Sequence, residues 1–550
     1  AGVCVYDQPP FCNAACPLKL DVKAMLKAAA ENDFKKAFKI YESIAPFPLI
    51  LSAGCGAPCE EKCRLCELGD GIAIGDIERA VALSGGAGEK RSIFRVRKKK
   101  RAAVFGSGLF ALLLAGELEK KGYPVTAICG EADEEEYLRV AAGFLREDDF
   151  YTELKRLRGK DIAFEFNAEM TRELFEEKRG GFDVLCASEK AALDIFPGAV
   201  RDEGIMLMES EGLLTGGGET VLEAALGARK AALTADRLAQ GIDPRSARGE
   251  EGPVTSRLYT NPDLARGLIR IKGCESGYTR EQAAEEAGRC MQCHCDECLR
   301  GCAYLRRFNK HPGLLSREIY NNTQIIMGDH PLNRAMNACA LCGQCTVTCP
   351  HGFDMAHVCR TARENMVDTD KMPLAAHEFA LLDMLFSNGE AYLCRKQPGH
   401  SHCRYVFFPG CQAAAIAPEA VIAAYEDLCT RRKGGVALML GCCGAIAHWA
   451  GRDEMYGEVR DKIAAELAAL EDPVIIAGCP SCMKLFSEQD MAETVGIWTV
   501  LRDRGLPDGA RGGGRAVLHD ACGARGYPET RSAVRHIMEE LGYQLIEEEY

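Results

Sequence analysis

The sequence lacks the long apolar run that a membrane-spanning helix needs. Such a helix takes about 18 consecutive apolar residues, whereas the apolar stretch from Leu109 to Ala115 is enclosed by Gly108 and Gly116. The first residues also lack the basic and apolar regions of a secretory signal. We therefore expect a cytoplasmic chain with no membrane span, whose thiols stay reduced.

An excess of positive charge is missing as well. The 550 residues carry a formal net charge of -13, and phosphate binding needs concentrated Lys and Arg, so the composition argues against a nucleic-acid binder. One basic run, Arg95 to Arg101, precedes an apolar strand pattern. We interpret it as a solvated linker, with a docking surface for an acidic partner as the alternative.

Cysteine, in contrast, is abundant and clustered. The chain has 29 cysteines, and the clearest group is Cys339-Ala-Leu-Cys342-Gly-Gln-Cys345-Thr-Val-Thr-Cys349-Pro350. This is the bacterial ferredoxin run, in which three thiolates bind one [4Fe-4S] cluster and the fourth reaches a neighbouring cluster. The run predicts electron transfer, and so many cysteines exceed what a zinc site needs.

The N-terminal 80 residues carry seven of these cysteines, in two groups separated by a predicted helical stretch from Asp21 to Ser43. The matching motifs are Pro10-Phe-Cys12-x-x-x-Cys16-Pro17, Gly54-Cys55-x-x-Pro58-Cys59-Glu60-x-x-Cys63 and Ile77-Glu78-Arg79. This segment resembles the small subunit of glutamate synthase and its relatives, including the N-terminal domain of dihydropyrimidine dehydrogenase. The resemblance implies two [4Fe-4S] clusters.

The same resemblance implies the ligands. One cluster would take Cys4, Cys12 and Cys63, with Asp7, the extra Cys66 or an open iron at the fourth place. The other would take Cys16, Cys55 and Cys59, with Glu78 as a non-cysteine ligand. An ordinary surface glutamate on a helix is the alternative interpretation of Glu78.

The next segment carries a dinucleotide fingerprint. Gly106, Gly108 and Ala111 follow an apolar strand and open a helix, a pattern that seats a pyrophosphate on the helix N-terminus. In the same family a flavin domain stands here, and Gly217, Gly218 and Thr220 resemble its closing motif. The expected ribose carboxylate is replaced by Cys129, which leaves Glu131 as a substitute, so bound FAD and an empty fold both stay open.

A second nucleotide fold is missing. Family members insert an NADPH domain of roughly one hundred residues between the two flavin segments, but here Phe182 leads within about thirty residues to Gly216, and no second glycine fingerprint occurs. We predict that the chain does not oxidise NAD(P)H by itself. Its electrons must then come through a partner.

A second pair of cysteine groups follows a polar connector. The first group, Cys290-x-x-Cys293-x-Cys295-x-x-Cys298-x-x-x-Cys302, precedes the ferredoxin run by roughly 36 residues. Together the groups resemble the helical ferredoxin of heterodisulfide reductase and of succinate dehydrogenase. The resemblance implies one cluster on Cys302, Cys339, Cys342 and Cys345, and another on Cys290, Cys293, Cys349 and either Cys295 or Cys298. We interpret the lone Cys274 and Cys359 as small buried residues.

The C-terminal part contains a cysteine-rich CCG pattern. Its members are Cys411, Cys442, Cys443, Cys479 and Cys482. The pattern resembles the CCG module of heterodisulfide reductase B subunits and of lactate- and glycolate-oxidising complexes, and implies one further cluster. A second module begins before Cys522 but stops without another CCG, so we expect it to be vestigial or continued elsewhere.

These patterns predict a multidomain α/β plus α fold. Its parts are a helical two-cluster domain (1–95), a Rossmann-like FAD-type domain without the NADPH insertion (96–245), an α-helical ferredoxin (246–385), a CCG module (400–505) and an incomplete one (506–550). We predict an electron-transfer subunit of an anaerobic oxidoreductase complex that relays electrons between a catalytic partner and an acceptor. The alternative is a terminal reductase of a disulfide or small substrate, acting at the CCG cluster or FAD.

Overall fold

A computed structural model describes residues 2–84, 97–246, 248–273 and 277–547. The chain forms two compact units, one of residues 7–295 and one of residues 1–6 with 296–550. The division falls inside the predicted 246–385 domain. Arg95, which begins the basic run, and Cys274, interpreted from the sequence as a small buried residue, lie outside the described residues.

The first unit opens with short helices around the N-terminal cysteines. They are α1 (Phe11–Ala15), α2 (Val22–Ala30), α3 (Phe34–Glu42), α4 (Pro48–Gly54), α5 (Pro58–Glu61) and α6 (Ile74–Ser84), with a 3₁₀ turn at Arg64–Glu67. The predicted helical stretch from Asp21 to Ser43 is thus two helices. Asn32 adopts a left-handed φ of 61°, and the Asp33 side chain caps α3 by accepting from Lys36 N, which starts a new helix there.

A six-stranded sheet follows. Its elements are β1 (Ala102–Phe105), α7 (Leu109–Lys120), β2 (Val125–Ile128), α8 (Glu134–Ala142), α9 (Glu147–Arg158), β3 (Ile162–Glu165), α10 (Arg172–Arg179), β4 (Val184–Ser188), α11 (Glu189–Ile195), β5 (Leu207–Met208), β6 (Leu213–Gly216) and α12 (Val221–Ala239). The strand order is β3-β2-β1-β4-β6-β5, and only β5 pairs antiparallel. The strand order reverses beside β1, and doubly wound sheets bind their ligands at such a switch point.

The first unit closes with a segment that returns to the N-terminal helices. Helix α13 (Arg280–Gly288) packs against α2 and α6. Its buried Glu286 accepts hydrogen bonds from Ala73 N at 3.0 Å, Ile271 N at 2.9 Å and Arg289 Nη1 at 2.6 Å. A buried carboxylate needs such partners, so these bonds fix the segment that leads into Cys290.

The second unit begins with helices that carry the ferredoxin cysteines. They are α14 (Glu297–Gly301), α15 (Ala303–Phe308), α16 (Pro312–Gln324), α17 (Asn333–Ala338), α18 (Gln344–Thr348), α19 (Met355–Asp368) and α20 (Glu378–Asn388). A core of buried Leu, Ile, Met and Phe side chains lies between them, and most of the ferredoxin cysteines pack against it. The helical character agrees with the sequence expectation.

A five-stranded sheet with its helices comes next in the second unit. Its elements are β7 (Leu393–Arg395), β8 (Tyr405–Phe408), α21 (Cys411–Ile416), α22 (Pro418–Arg431), β9 (Val436–Leu440), α23 (Ala445–Ala450), α24 (Asp453–Ala469), β10 (Val474–Ala477), α25 (Pro480–Glu488), β11 (Thr494–Gly496) and α26 (Ile497–Arg504). The strand order is β11-β10-β8-β9-β7. Strands β8, β9 and β10 each run into a cysteine group, so the carboxyl edge of this sheet gathers the CCG thiols.

The last elements are β12 (Gly514–Val517), α27 (Pro528–Glu540) and β13 (Tyr543–Ile546), with β12 and β13 forming a parallel pair. Cys522 lies in a 3₁₀ turn between them. No helix among the described residues is long and apolar enough to cross a membrane.

Candidate iron–sulfur sites

The ferredoxin run contributes to a group of four thiols in the second unit. Cys302 lies beside Cys339 and Cys342, and Cys345 lies beside Cys339 and Cys302. Burial is the main cause that raises the pKa of Cys302 and of Cys345. Cys345 is buried and the other three are half-buried, and four neighbouring thiols of this kind suit iron cations, which would stabilise the thiolates. This is the set that the sequence resemblance implies for one cluster.

A fifth cysteine, which sequence reasoning took for a small buried residue, joins this group. Cys359 on α19 is fully buried, yet its thiol hydrogen-bonds the Cys339 thiol. The Tyr304 hydroxyl lies 3.6 Å from the Cys359 sulfur. No spacing rule connects Cys359 to the run, so the sequence carries no signal for this contact.

Arg363 fixes the Cys339 loop from the same helix. Its guanidinium is buried and donates to three carbonyl oxygens, those of Met336 at 2.6 Å, Cys339 at 2.6 Å and Trp449 at 2.7 Å. Since Trp449 lies on α23, just after the CCG pair, the arginine connects the ferredoxin segment to the CCG segment. This residue was also missed by sequence reasoning.

The remaining ferredoxin cysteines of the second unit pack on the same core. Cys298 is buried within it, and Cys4 and Cys349 pack against it half-buried. Cys4 lies over Gly313, where an added Cβ would meet the Cys4 Sγ at 3.4 Å. Cys295 belongs to the first unit, one residue before the division.

In the first unit, one group gathers Cys16, Cys55, Cys59 and Glu78. The pKa of Cys59 is raised by burial and then by Glu78, Cys16 and Cys55, and the pKa of Cys55 is raised to about 12 by burial and then by Glu78. Glu78 is 3% exposed, and burial raises its pKa to about 8. Glu78 is therefore not an ordinary surface glutamate, and its carboxylate sits where the resemblance implies a ligand.

A second group in this unit joins cysteines from two distant segments. Cys12 is close enough to Cys290, Cys293 and Cys63 for their thiols to interact electrostatically, and Cys290 interacts in the same way with Cys293 and Cys63. The sequence resemblance instead paired Cys12 and Cys63 with Cys4, and Cys290 and Cys293 with Cys349. The grouping differs because helix α13, which precedes Cys290, packs against the N-terminal helices α2 and α6.

The two other candidates for the N-terminal cluster are at the surface. Asp7 is exposed, and so is Cys66, whose thiol donates to the Glu60 carbonyl oxygen at 3.4 Å. Neither side chain is buried in the group around Cys12.

The five CCG thiols form a continuous chain of contacts. Cys411 contacts Cys442, which contacts Cys443, which contacts Cys482, and Cys482 contacts Cys479. The Cys482 thiol is the main cause that lowers the pKa of Cys479 to about 6. Gly410, with a φ of +88°, packs closely against this group. A side chain there would not fit, because an added Cβ would meet the Cys479 Cβ at 2.9 Å.

Cys522 is exposed, and the next residue, Gly523, packs against the CCG group. A Cβ added to Gly523 would meet Ser481 N at 3.0 Å, and Ser481 stands between Cys479 and Cys482. His519, which directly precedes Asp520, is exposed. His448 on α23 instead contacts Arg360 Nη2 at 3.2 Å and the Tyr456 ring at 4.8 Å, which agrees with a structural role.

The dinucleotide segment has the expected local geometry. Gly106 and Gly108 follow β1 with φ values of +81° and +104°, and α7 begins directly after Gly108. A Cβ at Gly106 would meet the Ser188 Oγ at 2.5 Å, whereas the space at Gly108 is open. Ala111 is fully buried inside α7.

Two buried polar atoms at the carboxyl edge of this sheet have no hydrogen-bond partner among the described residues: the Oε2 of Glu131 and the Oγ1 of Thr215. An unpaired buried acceptor is costly, so both atoms fit a bound polyhydroxylated ligand. At the closing motif, Gly217 packs against the Glu189 carboxylate, Gly218 is exposed, and Thr220 caps α12 by accepting from Glu223 N at 3.2 Å.

The second unit also contains a cavity of about 420 Å³ between the ferredoxin and CCG segments. Its wall includes Cys339, Cys342, Arg363, His377, Lys484 and Cys522. Among the described residues, no three Cys, His, Asp or Glu side chains converge as ligands of a single metal ion.

Three segments of the chain match known family models. Residues 1–86 match dihydropyrimidine dehydrogenase domain II with its 4Fe-4S cluster, residues 289–354 match a 4Fe-4S dicluster domain, and residues 405–487 match the cysteine-rich CCG domain. These matches confirm the resemblances predicted from the cysteine spacing in each segment.

Curated relatives come from two bacteria. The NADPH-Fe(3+) oxidoreductase subunit beta of two Geobacter sulfurreducens strains is 28% identical over 236 residues, which are 40% of this chain and 33% of the relative. The NADP(+)-dependent formate dehydrogenase subunit beta of Moorella thermoacetica is 27% identical over 159 residues, which are 24% of this chain and 21% of the relative. The chain thus spans about a third of the length of the first relatives. It combines three iron–sulfur segments and is similar to β subunits of oxidoreductases.

Proposed function

We propose that this chain is an iron–sulfur electron-transfer subunit of a cytoplasmic, anaerobic, multi-subunit oxidoreductase. It relays electrons between a catalytic partner and an acceptor. The observation that carries the proposal is the gathering of buried and half-buried thiols into separate groups inside segments that match cluster-binding domains. Groups of this kind hold one-electron carriers.

The residues of the chain hold and tune these carriers. Backbone N–H groups two residues after a cysteine donate to its sulfur at Cys55, Cys339 and Cys479. Such bonds stabilise thiolates, and hydrogen bonds to cluster sulfurs raise reduction potentials. Apolar cores pack against these cysteines on one side.

Contacts inside the second unit favour a relay between its ferredoxin and CCG segments. Arg363 bonds Cys339 O and Trp449 O, and Lys484 bonds Leu341 O at 2.9 Å. These hydrogen bonds hold the two segments in one fixed arrangement. A fixed arrangement suits electron transfer, because no substrate has to enter and be oriented between the two thiol groups.

A catalytic partner is part of the proposal because the similar proteins are named as subunits. The sequence from Phe182 to Gly216 leaves no room for an inserted NADPH domain, so the proposed donor is a protein or another subunit. We include FAD as a further carrier on the strength of the Gly106–Gly108 turn and the unpaired Glu131 oxygen.

A terminal reductase is the second candidate function. The cavity of about 420 Å³ favours it, because cationic Arg363 and Lys484 line the cavity together with the exposed Cys522. An anionic disulfide or another small acidic substrate would suit such a wall.

One experiment separates the two functions. The isolated chain is reduced anaerobically with dithionite and then offered either a one-electron dye or glutathione disulfide. The relay predicts that about four or more electrons per chain pass to the dye and that the disulfide is not reduced. Catalytic disulfide reduction that Cys443→Ser abolishes would establish the terminal reductase instead, and bleaching by NADPH alone would contradict the predicted lack of NAD(P)H oxidation.

A further inference from the structure

Two thiols from the middle of the chain lie beside two thiols from its N-terminal segment. Cys12 belongs to α1 and Cys63 follows α5, whereas Cys290 and Cys293 follow α13. All four pack against the same buried core of the first unit. More than two hundred residues separate the two pairs in the sequence.

Hydrogen bonds hold the Cys290–Cys293 loop against helix α2. Lys23 Nζ donates to the Cys293 carbonyl oxygen at 3.0 Å, and Gln292 Nε2 donates to the Lys23 carbonyl oxygen at 3.3 Å. At the start of the loop, Arg289 donates to the Asp70 carbonyl oxygen at 2.6 Å. The loop is thus fastened at both ends to the N-terminal segment.

The loop has the conformation of the ferredoxin run. Gln292, before Cys293, has a φ of +51°, and Leu341, before Cys342, has a φ of +51°. In both loops the backbone N–H of this residue donates to the sulfur of the first cysteine. A non-glycine residue with positive φ is uncommon and needs support from its surroundings, so the shared shape indicates a shared task.

Further polar groups lie beside two of the four sulfurs. Gln292 Nε2 lies 3.4 Å from the Cys290 sulfur, and the ammonium of Lys23 lies near Cys293. A hydrogen-bond donor and a cation beside these thiols suit a negatively charged iron–sulfur centre.

We propose that Cys12, Cys63, Cys290 and Cys293 are the four ligands of one [4Fe-4S] cluster that the two matched segments share. This inference rests on the proposed iron–sulfur function and adds which residues of each segment bind the shared cluster. Each thiol releases its proton to solvent as its sulfur binds one iron of a preformed cluster, so no redox step is involved. Asp7 and Cys66 then need no role as ligands, and the N-terminal domain is incomplete without residues up to 293.

The test compares single serine variants of the full chain by EPR and iron analysis. Cys12→Ser, Cys63→Ser, Cys290→Ser and Cys293→Ser are each expected to alter the same cluster signal, with a loss of about four irons or fewer. Cys429→Ser, which lies outside every thiol group, is the neutral control. The inference is overturned if Cys290→Ser and Cys293→Ser leave the Cys12 signal intact, or if Asp7→Asn or Cys4→Ser alters that signal.

A second variant keeps the test decisive if a serine variant misfolds. Gln292→Leu keeps all four thiols and removes the side-chain donor to Cys290 and to the Lys23 carbonyl oxygen, so the signal assigned to Cys12 should shift in midpoint potential while iron content stays unchanged. Gln344→Leu, in the ferredoxin run, should leave that signal in place. An unshifted signal in Gln292→Leu overturns the inference. A chain without iron overturns the proposed function as well, whereas a loaded chain with an unaffected Cys12 signal overturns the shared cluster alone.

Discussion

Lys484 donates a hydrogen bond from its Nζ to the carbonyl oxygen of Leu341 at 2.9 Å. Lys484 lies two residues after Cys482 of the CCG group, and Leu341 lies inside the Cys339–Cys342 loop of the ferredoxin run. A side chain of one thiol group therefore contacts the backbone of the other. This contact helps to hold the two thiol groups next to each other, as the proposed relay requires.

Replacing Lys484 by methionine should weaken this contact without loss of iron. A hydrogen bond of this kind contributes about 1 kcal/mol, so the loop should open roughly fivefold more often. Hydrogen–deuterium exchange of the Leu341–Cys345 segment measures this, and Lys396→Met, at an exposed position, is the matched control. Equal exchange in both variants would show that Lys484 does not hold the loop.

The cysteine groups could be predicted from the sequence because metal ligands follow local spacing. The ferredoxin run, the CCG pattern and the N-terminal motifs each lie within short segments, and family models match all three segments. The turn at Gly106 and Gly108 could also be predicted from the sequence, since positive φ at those positions favours glycine.

The partition of thiols between groups was not predictable in the same way. It depends on α13 returning to the N-terminal helices, which a buried Glu286 with three donors stabilises. Nothing in the spacing of Cys290 and Cys293 indicates that they meet Cys12. Cys359 is a similar case, because its neighbour Cys339 is brought to it by the packing of α19 and not by a motif.

Glu78 offers a test of the other N-terminal group. Because it is buried among Cys16, Cys55 and Cys59, Glu78→Leu should remove one ligand and convert a four-iron signal to a three-iron signal, with a loss of about one iron. Glu78→Cys should restore the four-iron signal. Asp76→Asn, at an exposed position of the same helix, should change neither, and an unchanged spectrum in Glu78→Leu would show that Glu78 is not a ligand.

His448 predicts a dependence of stability on pH. Burial and the nearby Arg360 lower its pKa to about 4, below the value of about 6.5 in an unfolded chain. The unfolded state therefore binds more protons between these values, and stability is lost as the pH falls through this window.

From about pH 7 to about pH 5 the free energy of unfolding should fall by about 1 kcal/mol. This is roughly half of what the pKa difference alone would give, because His448 is partly exposed and solvent screens it. Urea unfolding of the cluster-free chain measures it at each pH. His448→Gln should remove this part of the pH dependence, and His536→Gln, at a more exposed site that pairs with Glu540, should leave it. A His448→Gln variant that keeps the full dependence would assign the effect to other groups.

FAD binding can be tested at Glu131. One of its carboxylate oxygens is buried without a partner among the described residues, so a ribose hydroxyl that donates to it would contribute about 1.5 to 3 kcal/mol. Glu131→Gln should then weaken FAD binding by at least about tenfold, measured by flavin fluorescence. Glu173→Gln, exposed on α10, is the control. Equal affinity in both variants would argue against a flavin at this edge of the sheet.

Iron content combined with EPR of the isolated, anaerobically purified chain tests the relay most directly. The three groups outside the CCG module, at four irons each, predict about twelve irons per chain, and a loaded CCG group raises this to about sixteen. Stepwise reduction should reveal several distinct signals that interact magnetically. A chain with fewer than about eight irons, or with zinc in place of iron, would contradict the proposal that these thiol groups form an electron relay.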